Sequence, residues 1–296
     1  MIAMARSVGI SPACFRRAFF FPVGCLLLAA TAGFGAAPPQ KMPELAQWGK
    51  PDAAEAQRIV GLVRESGIAG DHYLDFELQA LPRRGAESVY RGRYWGSRTA
   101  AGAIARIELA DATGAVHRFI VANGAAPAVW RARPPAYASE ALGGDELFAP
   151  LLPGLEVSAF DLQLPYLFWP GPRVERITRL RGRPAYEFLF PAPSGTGGGV
   201  AAVRAFLDTQ FNAMLQTEVL GPRGTVLRSF ALQSFKTVGR QPLPKVLDYR
   251  NETTRDKSRL TVLAAALEQT FPRGLFEPAA LGRDAAVPAG AVRLEP

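Results

Sequence analysis

The chain has 296 residues, 48% of them hydrophobic, with 34 Lys and Arg against 26 Asp and Glu and a formal charge of +8. That length buries a full core without staples. The basic residues are scattered, as at Arg91, Arg93 and Arg106 on strand faces, so no nucleic-acid motif is formed; the balance hints only at an acidic surface such as phospholipid headgroups.

Residues 1–37 read as an export signal. Arg6, Arg16 and Arg17 are followed by an uncharged apolar run from 18 to 37 that ends in Gly35-Ala36-Ala37. Phe15-Arg16-Arg17-Ala18-Phe19 faintly resembles a twin-arginine signal, and Val23-Gly24-Cys25 a lipoprotein box, with Pro22 against the latter. The expected location is the periplasm, with an uncleaved anchor as the alternative, because about twenty apolar residues can span a bilayer. Both cysteines, Cys14 and Cys25, lie in this signal, so everything downstream lacks a disulfide, a cysteine nucleophile and a thiolate metal site.

Residues 38–50 form a linker. Asp52 then caps a helix whose apolar stripe is Ala56, Ile59, Val60 and Val63 and which ends at Ser66-Gly67. Strands are predicted at 73–81, 88–98, 103–110, 116–122 and 127–133. The stretch 134–154 is irregular. Residues 155–169 are aromatic, interrupted by Pro165, and predicted as one or two helical turns laid over a sheet. A hairpin at 174–180 and 185–190 follows, then a Gly-rich loop at 194–199. Five strands close the series at 200–208, 214–220, 225–238, 245–251 and 258–267. Short links between successive strands imply antiparallel neighbours. The fold class is therefore mainly β (α+β): a single curved antiparallel sheet, a half-barrel of about eleven strands, with an N-terminal helix and a short helical lid on its concave face. One domain spans 51–280, and 281–296 is predicted as a flexible tail.

Catalytic signatures are missing from this reading. His72 and His117 are far apart, and no nucleophile elbow, HExxH pair or Walker pattern occurs. The 194–199 loop leads into a strand and has no following Lys, so it lacks the helix N-terminus that binds phosphate. Asp161, Asp208 and Asp248 stand at strand ends and turns, where carboxylates are usually solvated. No enzyme activity, metal or cofactor is expected. What stands out is apolar residues on both faces of strands such as 225–238, with too few helices to cover them. An apolar cavity between sheet and lid follows. Its candidate sheet side is Phe76, Leu78, Phe188, Phe206, Met214 and Phe230; its candidate lid side is Leu164, Leu167, Phe168 and Trp169.

The order of elements resembles the LolA-like outer-membrane lipoprotein-sorting family. The resemblance rests on Asp161-Leu162 and Tyr166-Leu167 in the aromatic segment and on Tyr186-Glu187-Phe188-Leu189-Phe190-Pro191. It continues with Phe206-Leu207-Asp208, with the spacing Glu218, Gly224, Arg228, and with Pro244-Lys245-Val246-Leu247-Asp248. It covers 155–267 by motif and 52–133 by element order. The Gly-rich insertion and Phe206 in place of a Trp depart from the pattern, and no single arginine is matched to the family's lid-closing basic residue. The resemblance implies a monomeric periplasmic carrier that shelters acyl chains. Its partners would be an acylated lipoprotein or lipid and an inner-membrane transporter, with no enzyme activity. A protein-interaction or envelope-stress sensor module on the same half-barrel is the alternative; a hydrolase lacks a catalytic constellation. Physically, an acyl chain of about fifteen carbons costs roughly 12 kcal/mol in water, so such cargo needs an apolar shelter.

Overall fold

The computed structural model of the chain describes residues 49–124 and 126–294. The predicted signal and most of the linker lie outside them. Helix α1 (Ala53–Glu65) begins where Asp52 accepts from the Glu55 amide at 2.8 Å, and it buries the expected stripe, Ala56, Ile59, Val60 and Val63. Its last turn is held by the Arg98 guanidinium, which donates to the carbonyls of Arg64 and Ser66 at 3.0 and 3.1 Å.

A first meander follows: β1 (Asp71–Leu81), β2 (Ser88–Thr99), β3 (Gly102–Ala110), β4 (Val116–Ala122), β5 (Ala128–Ala132) and β6 (Glu140–Leu142). A second comes after the short helix α2 (Ala159–Gln163). Its strands are β7 (Arg173–Leu180), β8 (Arg183–Pro191), β9 (Ala202–Asp208), β10 (Met214–Leu220), β11 (Val226–Val238), β12 (Gln241–Asn251) and β13 (Lys257–Gln269). The two meanders join where β1 pairs with β13, Phe76 opposite Val262 and Leu78 opposite Leu260. One antiparallel sheet results, in the order β6-β5-β4-β3-β2-β1-β13-β12-β11-β10-β9-β8-β7, and β14 (Val292–Arg293) adds to β13. The mainly β, single-sheet reading holds, with 14 strands rather than about eleven. The twelve predicted strand ranges leave out only β6 and β14, three and two residues long, too short to show any period. Register shifts in β1/β13, β7/β8, β9/β10, β10/β11 and β11/β12 are bulges, which bend and coil a sheet.

The inner face carries α1 and residues 144–169. Over β7–β10, the α1 stripe packs with Val174, Phe188, Phe190, Val203, Ala205 and Leu207. Over β1–β5, a second cluster gathers Phe76, Leu78, Tyr90, Ile107, Leu109 and Phe119. Gly92 belongs to this packing. A methyl group there would lie 2.2 Å from the Phe76 ring, so the bare backbone is the ring's seat. Gly92→Ala is expected to lower stability by about 1–3 kcal/mol through overpacking, with part of the loss recovered in Gly92→Ala/Phe76→Leu. Thermal melts of the wild type and both variants check this; an unchanged melting temperature for Gly92→Ala refutes it.

The outer face corrects two expectations. Residues 281–294 are not a loose tail. The segment from 271 onward crosses the outer face over β1–β5, where Phe276 packs with Tyr73 and Trp95, and Leu281 with Ile120 and Ala132. Trp95 donates its Nε1–H to the Ala286 carbonyl at 3.0 Å, and the Lys245 ammonium donates to the Leu294 carbonyl at 2.8 Å. Arg106, read as a strand-face single, is buried beneath this strap with Glu108 and Arg118. The outer-face apolar residues of β1–β5 are therefore covered by the chain itself. Over β7–β10 the outer face is instead a charge ladder: Arg176 to Glu187 at 2.6 Å, Glu187 to Arg204 at 3.2 Å, Arg204 to Glu218 at 2.7 Å.

Candidate functional site

The segment across the inner face is short because its sequence permits no longer helix. Ser158 caps α2 in a reciprocal box, its backbone N–H and hydroxyl donating to Asp161 at 2.8 and 2.6 Å. Pro165 cannot continue the helix, and Leu164 turns left-handed at φ +51, a conformation unusual for a leucine. A second helical turn, Pro165–Phe168, follows at once. The result is two turns with a joint between them.

This lid is fixed to its surroundings at four points. Phe160 stacks on Phe148 with ring centres 4.6 Å apart, and Tyr166 meets Phe190 edge-on at 5.6 Å. The Tyr166 hydroxyl contacts the Met214 sulfur at 3.2 Å, and burial pushes that hydroxyl well above its ordinary pKa, so it stays protonated. Arg64 of α1 donates to the Leu167 carbonyl at 2.7 Å, and its guanidinium lies 4.7 Å from the Phe168 ring centre. From β11, Arg228 donates to the Ser158 hydroxyl at 2.8 Å and the Phe148 carbonyl at 3.2 Å, and pairs with Asp161 at 3.2 Å. The Arg228–Asp161 pair is nearly closed off from solvent, where charge-assisted bonds are strongest. Nearby, burial raises the Glu156 carboxyl from its ordinary value, against a hydrogen bond from Asn251.

The candidate residues fall into three groups. Leu167 and Phe188 are buried in the α1 cluster, with Leu164, Phe168, Trp169 and Met214 half-buried around it. Phe76 and Leu78 lie in the other cluster, and Phe230 is half-buried against it beside Tyr249, 5.3 Å between ring centres. Phe206 belongs to neither. The register places it opposite Glu187 and Gln216, on the outer face with the charge ladder, so its assignment to the sheet side of the cavity is wrong. Strand parity alone separates it from Ala205 and Leu207, which do point inward. Sequence reasoning missed the tethers Arg64 and Arg228, and it missed Phe160 and Tyr166 as the deepest lid side chains. Ser158 with Asp161 three residues on was a legible capping signal; that Asp161 meets Arg228, 67 residues away, was not.

The interior beneath the lid is filled by these side chains. At its margin Leu162, Phe230, Leu247, Leu260 and Tyr94 remain half-buried against the β1–β5 cluster, and Leu147 bridges the two clusters. Two open grooves lie elsewhere, one of about 520 Å³ at Arg183, Asp208 and Gln210, the other of about 390 Å³ between the start of α1 and Arg173. Both histidines have structural surroundings: His72 is buried, bonded to the Gly70 carbonyl and stacked on Tyr94, and His117 bonds Asp111 at 3.1 Å.

Comparison of this architecture with solved structures finds close likenesses in shape. An outer membrane lipoprotein-sorting protein domain from Vibrio parahaemolyticus superposes with a TM-score of 0.69 at 14% identity, over 78% of this chain and 100% of that one. The fold is LolA-like. A LolA superfamily protein from Nitrosomonas europaea matches with a TM-score of 0.59 at 13% identity, over 75% of this chain and 97% of the other. A DUF1329 family protein from Desulfovibrio piger gives 0.66 at 10% identity, over 77% and 98%. No family model matches the sequence, and no curated protein does. At these identities the LolA-like likeness is one of fold. Among the described residues no helix is long and apolar enough to cross a membrane, which leaves spanning by strands unaddressed.

Proposed function

We propose that the protein is an exported, periplasmic carrier that shelters acyl chains of a lipid or lipoprotein between the inner sheet face and the 158–169 lid. The observation that carries this reading is the way the lid is held. Beside α1, the apolar face is covered by two short helical turns, each tied by one arginine, rather than by a second long helix. Breaking the two ties leaves the lid held by the ring contacts of Phe160 and Tyr166, so that it can lift without unfolding α1 or the sheet. The half-buried Leu162, Phe230, Leu247 and Leu260 then form the entrance, and Met214 and Phe188 the deeper wall. Apolar burial alone holds the cargo, at about 0.8 kcal/mol per methylene group, and no group on the chain has to react. An inner-membrane transporter is the donor partner this role calls for, and residues 1–37 supply the export signal.

Purification without detergent, extraction and lipid mass spectrometry test the proposal. Acyl species in stoichiometric amount are the expected result. Phe230→Asp is expected to abolish binding of a fluorescent fatty acid, because a carboxylate in an apolar site keeps its water or carries a large penalty. Phe206→Asp, on the outer face, should leave binding intact. A folded wild type that yields no lipid and binds no acyl probe overturns the carrier reading.

A further inference from the structure

β11 lacks a full set of neighbours. β10 pairs with it as far as Ala231, whereas β12 runs along its other side to Val238. Among the described residues, nothing pairs with residues 232–238 on the β10 side. Two register shifts, between Leu232 and Ser234 and between Ser234 and Phe235, bend this stretch where β10 stops.

The β11–β12 turn decides which backbone groups face outward. Val238 and Gln241 close a two-residue turn with Gly239 at φ +59, and the pair flanking such a turn exchanges both of its hydrogen bonds. Pairs then alternate, so Thr237 with Pro242 and Phe235 with Pro244 are the ones that exchange none. The prolines agree, since neither has an N–H to give β11. The N–H and C=O of Phe235 and Thr237 therefore point to the open side. Over the same rows the outer edge of β12 carries Pro242 and Pro244 and is blunted; the β11 edge carries no proline.

The surroundings select the strand that could add here. Phe235 is 42% exposed. Lys236 points to the opposite face from Phe235, and Arg240 stands in the turn. Arg181, from the β7–β8 turn, donates to the Leu232 carbonyl and the Gln233 side chain at 3.0 Å each. Lys236 in mid-edge sets a second copy of the same edge like charge against like charge, the usual guard against self-pairing. The same charge attracts an acidic strand.

We propose that the β11 edge is a docking site for an extended acidic segment of a partner protein. The segment adds as a strand, its main chain bonding Phe235 and Thr237. Its apolar side chains lie over Phe235, and its carboxylates point toward Lys236 and Arg240. The proposal is independent of the carrier reading.

Amide exchange and titration by NMR on the purified protein test it, with an eight-residue peptide of alternating Val and Glu as probe. The Phe235 and Thr237 amides should exchange fast in the free protein and slow with peptide. Thr237→Pro should weaken the peptide at least tenfold while fatty-acid binding is unchanged, because that N–H serves no internal bond. A Val–Lys peptide should bind at least tenfold more weakly. Protection of these amides in the free protein overturns the proposal, as does no response at millimolar peptide or equal binding of both peptides. Protection that grows with protein concentration alone would assign the edge to a second copy of the chain. Protection by phosphatidylglycerol vesicles and not by peptide would assign it to a membrane surface. Either result also overturns the proposal.

Discussion

Replacing Glu108 by alanine is expected to cost about 3–5 kcal/mol of unfolding free energy, the range for removing one partner of a buried ion pair. Glu108 is the buried carboxylate between two buried guanidiniums. It accepts from Arg106 at 2.7 Å and lies 3.9 Å from Arg118, with each of the three side chains at most 6% exposed. The arginines spend their other donors on the C-terminal strap: Arg106 on the carbonyls of Ala280 and Arg283, Arg118 on the carbonyl of Leu281 and on Asp284. The Arg118 Nε already has no hydrogen-bond partner among the described residues. Without Glu108, two positive charges face each other under an apolar strap with no counter-ion inside. Asp284 cannot replace it, being 87% exposed at the rim. Asp284→Ala should accordingly cost less than about 1 kcal/mol. Urea unfolding of both variants is the measurement. A midpoint for Glu108→Ala close to that of the wild type would mean that the strap is not anchored through this cluster.

That cluster also shows where the sequence stops being readable. α1 was legible because an Asp cap and a stripe at helical spacing are local signals. The strands of both meanders, β6 apart, were legible from their length and their turns. The strap was not, because its composition is Ala, Pro and Gly and it is held chiefly by its own carbonyls. Those carbonyls look alike in every sequence, while their donors Arg106, Arg118 and Trp95 sit more than 160 residues away. Two-sided apolarity was read on 225–238, whereas the cover that the chain itself supplies lies over the outer face of β1–β5. The candidate site was legible to the same depth. Leu164, Leu167, Phe168, Trp169, Phe188 and Met214 do surround one cluster. Phe206 was misplaced because both neighbours of an apolar strand residue were also apolar, so alternation gave no parity. Arg228 stands at the end of the Glu218–Gly224–Arg228 spacing, yet only the fold brings it to Asp161.

Arg228→Met is expected to speed acyl binding by roughly tenfold to a hundredfold, on the basis that the charged hydrogen bonds it removes are worth about 1.5–3 kcal/mol. Arg228 binds the first turn of the lid in two ways, through the Ser158 hydroxyl and the Asp161 carboxylate, and it also donates to the Phe148 carbonyl beside the lid. The two bonds to the lid are lost when it lifts, so they weight the closed state alone. Methionine keeps most of the side chain's volume and removes the donors. α2 stays folded in the variant, since the Ser158–Asp161 box needs no arginine. The equilibrium between closed and open lid therefore shifts by the lost bonds, and an association step that waits for opening accelerates by the same factor. Stopped-flow mixing with a fluorescent fatty acid reads that factor directly. Arg176→Met, on the outer-face ladder, is the control and should leave the rate unchanged. If Arg228→Met binds the probe at the wild-type rate while remaining folded, the 158–169 segment is not the gate. If it lowers global stability by the full amount without changing the rate, the tether belongs to the core and the lid does not open as a unit.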